Sequence, residues 1–155
     1  MKFKKTTDFL VKAVSSVFFI GYLPLVPGTF GSLAGVGLFY ALVPITGVMY
    51  SLVVLDIIVL GLMTSGRMEK LLNKKDPGCI VIDEVAGMLL ALSFLPCNFR
   101  IVLLAFLIFR ILDTLKPFPA GRLQNLHGSA GVVGDDLVAG IYTNIVMQII
   151  LVLRF

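Results

Sequence analysis

Two pairs of adjacent carboxylates occur in a chain that is otherwise rich in apolar residues. Asp83 and Glu84 open the stretch "DEVAG", and Asp135 and Asp136 open the stretch "DDLVAG". Neighbouring carboxylates repel each other, and a carboxylate beside hydrocarbon is unstable unless a positive charge compensates it. Acids at helix starts often serve only as caps that complement the helix dipole. Capping accounts for each acid singly, but it gives no reason for two successive acids at both places.

A shared divalent cation would explain the clustering. Asp113 falls at the carboxyl end of an apolar segment, where the helix dipole disfavours an anion. Mg²⁺ takes oxygen ligands from carboxylates and substrate phosphates, and it removes the repulsion between clustered acids. Asp83 and Asp136 are the better ligands, because Gly87 and Gly140 follow one turn later and let two helices approach closely. We therefore predict a Mg²⁺ site built from five acids: Asp83, Glu84, Asp113, Asp135 and Asp136.

Candidate phosphate ligands lie near Asp113. Arg110 stands three residues earlier on the same helix face, so it can be the ion-pair partner of that acid. Its planar guanidinium also suits bidentate phosphate binding, and Lys116 follows one turn beyond the acid. We favour the phosphate interpretation for both cations.

The stretch "PGTFGS" offers a second element for anion binding. It is a run of small residues that we expect to form a loop opening a helix near Leu33, with its backbone N–H groups free. Thr29 and Ser32 would add hydroxyl groups to the phosphate site. Ser32 can also be no more than a helix N-cap.

His127 is the only histidine, and it lies in the glycine-rich stretch "HGSAGVVGDD". Its side chain exchanges protons near neutral pH, so it can act as a general acid or base. A single loop histidine is often incidental, and the residue types alone leave both interpretations open.

The composition is typical of a membrane protein. Of the 155 residues, 58% are hydrophobic and 14% are charged, whereas soluble domains have roughly 45–50% and about 25%. The formal charge of +4 is divided among short basic clusters between apolar segments, which favours a lipid surface over nucleic acid. Cys79 and Cys97 lack metal-ligand spacing and are expected to be free thiols. The length predicts one domain over residues 1–155.

The hydropathy pattern predicts an all-α integral membrane helical bundle, with about five short membrane helices after an amino-terminal amphipathic helix. The amphipathic helix, over residues 9–26, fits the membrane interface and is not a cleaved signal, since Lys12 interrupts its apolar run. Several later segments are shorter than the roughly 20 residues of a full crossing. We expect residues 85–96 and 101–112 to form a hairpin that enters only part of the bilayer or is shielded by other helices. The predicted membrane helices cover residues 33–43, 47–63, 85–96, 101–112 and 137–153.

Basic residues mark the cytoplasmic side of membrane helices. The basic clusters at residues 2–5, 67–75 and 116–122 can share that side if residues 9–26 do not cross. The polar motifs then all emerge on the cytoplasmic face. Asp56 lies in mid-segment, and we expect it to be a buried protonated acid or a helix–helix hydrogen-bond partner and not a functional group.

Four stretches in order resemble the phosphatidylglycerophosphatase A family: "PGTFGSLAG", "IVIDEVAGM", "FRILDTLKPFP" and "NLHGSAGVVGDDLVAG". They extend from residue 27 to residue 140, and the one departure is "HGSAG", where a second glycine is expected after the first. The resemblance implies an all-helical, Mg²⁺-dependent phosphatase of the bacterial inner membrane. Its substrate would be phosphatidylglycerophosphate, and its product phosphatidylglycerol.

The resemblance and the residue chemistry agree on metal-assisted hydrolysis of a phosphomonoester at the cytoplasmic face. Catalysis is assigned to His127, Asp83 and Asp136, and phosphate binding to Arg110, Lys116, Thr29 and Ser32. The alternative is a membrane cation transporter with a carboxylate-lined site. Transporter sites lie near the bilayer midplane, whereas the clustered acids are expected at one interface.

Overall fold

The computed structural model describes residues 2–45, 47–126 and 128–153. These residues form seven α-helices and a short 3-10 turn, without a β-strand, so the all-α class is confirmed. Each of the five predicted apolar segments overlaps a helix. The helices are α1 (Lys2–Ser15), α2 (Pro27–Leu42), α3 (Gly47–Leu72), α4 (Ile82–Leu92), α5 (Phe99–Leu115), α6 (Ala120–Leu123) and α7 (Ser129–Leu153).

The amino-terminal helix differs from its prediction. It ends at Ser15, and the chain then turns through Val17, Phe18 and Phe19 in left-handed backbone conformations instead of staying helical to residue 26. The Ser16 hydroxyl donates to the carbonyl of Lys12 and accepts from the backbone N–H of Phe19, which offers the backbone an alternative to further helix. The helix packs along α3.

The short helix α4 lies at the centre of the bundle. Nine of its residues are buried, and it packs against α2, α3, α5 and α7. Met88 and Leu89 are fully buried beside Phe109 of α5 and Met147 of α7. Of the predicted hairpin, the first helix is therefore shielded by other helices, as expected. The second helix is not, because Leu107 and Ile111 of α5 are 49% and 56% exposed.

Glycines set the closest approach between α4 and α7. A Cβ atom on Gly87 would lie 2.6 Å from the carbonyl oxygen of Asp136, and a Cβ atom on Gly140 would collide with the carbonyl oxygen of Gly87. The predicted close approach of the two helices at these glycines is confirmed. It brings Asp83 and Asp136, one turn earlier on each helix, to the same level of the bundle.

Two helices, α3 and α7, are long and apolar enough to cross a membrane. In the most apolar stretch of each helix, only 17% of α3 and 28% of α7 is buried. The core helix of a soluble protein would be mostly buried. Val48, Met63 and Val152 are each at least 70% exposed on these helices, and such apolar surface fits lipid. The two helices are candidate membrane spans and suggest a membrane protein, but the predicted number of about five membrane helices is not confirmed.

Asp56 occupies the exposed outer face of α3, so the expectation that it is buried is wrong. Its neighbours Leu52 and Leu55 are exposed as well. The face of α3 that packs into the bundle carries Val54 and Gly61 instead. The helical period therefore places Asp56 away from the acids at the helix ends.

Candidate active site

Four helices bring the predicted acids, Arg110, Lys116 and Ser32 together at one end of the bundle. The first turn of α2 lies against the first turn of α4, since a Cβ atom on Gly28 would be 2.5 Å from Oε1 of Glu84. The same position is 3.5 Å from the guanidinium of Arg110 on α5. Lys116, just after α5, binds Asp135 on α7. All four sequence motifs therefore meet at a single site.

Three carboxylates form the centre of this site. Asp83, Glu84 and Asp136 each offer an oxygen atom, and these atoms lie within 4.8 Å of one another. Asp83 and Asp136 are each 5% exposed. Oε2 of Glu84 is buried and has no hydrogen-bond partner in the described part of the chain. Clustered oxygen donors with one buried and unpaired oxygen fit a hard cation such as Mg²⁺.

The electrostatics of α4 support this fit. Burial raises the pKa of Asp83 to about 6, although its hydrogen bonds with Glu84 oppose the rise. Burial, followed by the charge and hydrogen bond of Asp83, raises the pKa of Glu84 well above its ordinary value. Carboxylate charge is thus poorly compensated by the protein alone, and a bound cation would stabilise the ionised forms.

The second acid pair does not stand at a helix start, so the helix-start prediction for Asp135 and Asp136 is wrong. Helix α7 begins at Ser129, almost two turns earlier, and neither acid is available as its cap. The glycine-rich stretch is helical because packing overrides the low helix propensity of glycine. Gly131, for example, lies against the carbonyl of Leu126, where no side chain would fit.

Asp135 and Asp136 point to different partners, because successive helical residues diverge by about 100°. Asp136 joins the three-carboxylate cluster. Asp135 accepts a hydrogen bond from Nζ of Lys116 through Oδ2, while its buried Oδ1 lacks a partner among the described residues. The structure therefore places Asp136 in the cluster and Asp135 beside it.

Arg110 connects α5 to both the acids and α2. Its guanidinium donates to Oδ2 of Asp113 at 2.9 Å and to Oγ of Ser32 at 3.3 Å. The Ser32 hydroxyl in turn donates to the carbonyl of Gly28 at 2.9 Å, so it accepts from Arg110 in a fixed orientation. Arg110 is thus an ion-pair partner of Asp113 and a component of the site at once. Asp113 lies outside the three-acid cluster, although its side chain comes within hydrogen-bonding reach of Asp136.

Lys116 lies where α5 ends, in a left-handed conformation with φ of 47°. Burial by itself would lower the pKa of Lys116, but the hydrogen bond and charge of Asp135, together with the charges of Asp113 and Asp136, raise it. Lys116 is therefore held in its charged form among the acids.

The stretch "PGTFGS" is helical, so the prediction that it forms a loop before a helix near Leu33 is wrong. Helix α2 already begins at Pro27, because proline has no N–H to leave unpaired and suits the first helical position. Ser32 is fully buried and Thr29 is half-buried on this helix.

Two glycines at this site escaped the sequence analysis. Gly28 faces Glu84, and a Cβ atom on Gly31 would lie 2.8 Å from the side chain of Val81. The spacing of Gly28, Gly31 and Gly35 along one helix face is the signal that could have revealed this close helix contact.

His127 lies outside the described residues, so its predicted role stays a prediction from the sequence. Cys79 and Cys97 are free thiols, as expected.

The sequence profile of the phosphatidylglycerophosphatase A family matches residues 13–151. The chain belongs to this family. It is 42% identical over 123 residues to phosphatidylglycerophosphatase A of Escherichia coli, covering 78% of this chain and 72% of the relative. The Haemophilus influenzae protein of that name is 35% identical over 130 residues, or 82% of this chain and 80% of the relative.

Another relative bears a different name. A putative phosphatidylinositol-3-phosphatase of Bacteroides thetaiotaomicron is 31% identical over 153 residues, which are 94% of this chain and 96% of the relative. No solved structure matches the chain significantly.

The position of the acids bears on the alternative of a cation transporter. The cluster occupies one end of the bundle, and α4 and α7 carry no acid after Glu84 and Asp136 respectively. Asp56 lies on the outer face of α3, away from the cluster. This arrangement does not favour a carboxylate-lined path through the bilayer.

Proposed function

We propose that the protein is a Mg²⁺-dependent phosphatidylglycerophosphatase of the bacterial inner membrane. It would hydrolyse the terminal phosphomonoester of phosphatidylglycerophosphate at the cytoplasmic face and release phosphatidylglycerol. The observation that carries this proposal is the three-carboxylate cluster with its unpaired buried oxygen, set beside Arg110, in a member of the phosphatidylglycerophosphatase A family. A cation site next to a guanidinium is suited to a phosphate dianion.

Asp83, Glu84 and Asp136 would hold Mg²⁺, with Asp113 and Asp135 close by. When bound, the cation supplies Lewis-acid polarisation of a phosphate oxygen and offsets charge in the transition state. The carboxylates would fix that charge in a largely buried site, where electrostatic interactions are stronger than in water.

Arg110 and Lys116 would bind the phosphate from the protein side. Their side chains are each 25% exposed, so they can meet a ligand while they keep contact with their acidic partners. The fork of Arg110 can hold two phosphate oxygens, and Ser32 would keep that fork in its orientation. The half-buried Thr29 would add a hydroxyl at the edge of the site.

His127 would move the proton. It precedes Gly128, which has φ of 79°, and the start of α7. In this proposal the imidazole protonates the leaving alkoxide or takes a proton from the attacking water. The role is supported by residue type and by position in the motif.

The substrate proposed here differs from the one in the name of the Bacteroides relative. Both substrates are lipids that carry a phosphomonoester, and the same carboxylate cluster could serve either. The names of the Escherichia coli and Haemophilus influenzae relatives support phosphatidylglycerophosphate.

Phosphate release from the purified, detergent-solubilised protein tests the proposal. We expect release from phosphatidylglycerophosphate in the presence of Mg²⁺, little release in excess chelator, and much slower release from phosphatidylinositol 3-phosphate. Asp56→Asn is the matched control, because it removes an acid outside the site and should leave the rate unchanged. Equal release with and without divalent cation would contradict the metal assignment. Faster release from the inositol lipid would contradict the substrate assignment.

A further inference from the structure

An apolar groove runs between α2 and α5. It has a volume of about 160 Å³, and its walls are Leu33, Val36 and Tyr40 on α2 and Val102, Leu103 and Phe106 on α5. Leu33 and Leu103 are 48% and 45% exposed, so the groove opens on the outer surface of the bundle. A hydrocarbon chain could enter it sideways from a bilayer.

The groove residues are neighbours of candidate active-site residues along both helices. On α2, Leu33 follows the buried Ser32 directly, and on α5 Phe106 lies one turn before Arg110. The hydrogen bond from Arg110 to Ser32 joins the two helices at this end of the groove. The apolar walls therefore begin where the proposed phosphate ligands end.

Residue spacing places each wall on the same helix face as one proposed phosphate ligand, Thr29 on α2 and Arg110 on α5. Thr29, Leu33, Val36 and Tyr40 recur at intervals of four, three and four residues, which is one stripe along α2. On α5 the stripe of Phe99, Leu103 and Phe106 leads to Arg110 at the same intervals. Each stripe thus has a polar residue at one end, Thr29 on α2 or Arg110 on α5, and mainly apolar residues along the rest of its length.

A second groove serves as a comparison. It lies between α5 and α7, lined by Leu104 and Leu107 on one side and by Met147 and Ile150 on the other. Its α7 wall begins about three turns beyond Asp136. That groove approaches the site along α5 alone, so it is less suited to a ligand whose head lies among the acids.

We propose that the groove between α2 and α5 binds an acyl chain of the lipid substrate while Arg110 holds its phosphate. This inference rests on the proposed function, since it assigns a place to the apolar part of that same substrate. The wall from Phe106 to Phe99 is about 10 Å long, so it contacts the part of the chain nearest the glycerol and leaves the rest in the bilayer. Long-chain substrates would gain binding energy there that short-chain substrates lack.

The test fills the groove and compares two substrates. Leu33→Trp blocks the groove, and Leu107→Trp is its control, because Leu107 is 49% exposed and lines the other groove. The measurement is kcat/KM for dipalmitoyl and dibutanoyl phosphatidylglycerophosphate in the same detergent with Mg²⁺. We expect Leu33→Trp to lower kcat/KM on the dipalmitoyl lipid on the order of tenfold and to leave the dibutanoyl lipid unchanged. Leu107→Trp should change neither.

A second variant guards against local damage near Ser32. Val36→Phe obstructs the groove one turn further from the phosphate ligands and should show the same selective loss. The groove assignment is overturned if both variants affect the two lipids equally, or if the control loses as much long-chain activity as they do. Wild-type protein that hydrolyses neither lipid would instead overturn the proposed function, and the groove assignment with it.

Discussion

The two acid pairs, in "DEVAG" and "DDLVAG", look alike in sequence but differ in the structure. Asp83 and Glu84 stand in the first turn of α4, and both contribute oxygens to the three-acid cluster. Asp135 and Asp136 stand inside α7, where only Asp136 joins the cluster and Asp135 binds Lys116. The position of an acid within its helix therefore decides its partner. The same short motif contributes two carboxylates to the cluster from one helix and one from the other.

Replacing Asp135 and Asp136 of α7 one at a time should give the largest difference in kcat between two variants. Asp136→Asn takes a proposed ligand from the cluster and should lower kcat by about a thousandfold or more, because Lewis-acid stabilisation is worth several kcal/mol. Asp135→Asn removes only the partner of Lys116 and should cost roughly tenfold to a hundredfold. Steady-state phosphate release measures both rates, with thermal unfolding as the check on folding. Equal losses would end the distinction between the two acids.

Part of this arrangement could be predicted from the sequence. The four-residue intervals from Asp83 to Gly87 and from Asp136 to Gly140 correspond to one helical turn, so they predicted the α4–α7 contact correctly. The three-residue spacing of Arg110 and Asp113 also allowed for their ion pair, although phosphate binding was the favoured interpretation of Arg110. These features depend on local periodicity, which a sequence displays directly.

Other features depend on tertiary packing and could not be predicted in this way. The start of α7 at Ser129 was hidden by glycines that are poor helix formers in isolation. The exposure of Asp56 depends on which face of α3 the neighbouring helices cover, and a uniformly apolar helix does not reveal that face.

Arg110→Lys tests the guanidinium group that links α5 to Asp113 and Ser32. Lysine keeps the charge but loses the planar guanidinium, whose Nη1 donates to both Asp113 and Ser32 and whose fork suits phosphate. We expect kcat/KM to fall roughly tenfold to a hundredfold, with little change in the thermal midpoint. Unchanged kinetics would reduce Arg110 to a structural partner of Asp113.

Gly87→Ala tests the close helix contact that both acid pairs share. The added methyl group would lie 2.6 Å from the carbonyl of Asp136 and 2.9 Å from the ring of Phe109. We expect about 1–3 kcal/mol of destabilisation, seen as a lower thermal midpoint in detergent. Gly37→Ala on α2 is the control, because nothing lies within 4 Å of its added methyl. A midpoint for Gly87→Ala equal to that of the control would contradict the packing.

The pH dependence of metal-free protein gives the smallest expected effect. In the folded protein the pKa of Asp83 is raised from 3.8 to about 6, so the native state binds more protons than the unfolded state between these values. Stability should therefore fall as the pH rises from about 4 to about 6, and added Mg²⁺ should remove most of this fall. Thermal unfolding across that range, with Asp83→Asn as the control that lacks the titration, checks the sign. A rise in stability over the same range would contradict it.

Cation binding tests the three-carboxylate cluster most directly, since it does not depend on turnover. Isothermal titration of the purified protein with Mg²⁺, or with Mn²⁺ followed by electron paramagnetic resonance, compares wild type, Asp136→Asn and Asp135→Asn. The cluster predicts saturable binding to wild type, at least about tenfold weaker binding to Asp136→Asn, and a much smaller change in Asp135→Asn. Binding by Asp136→Asn as tight as that of wild type would show that the cation does not lie among Asp83, Glu84 and Asp136.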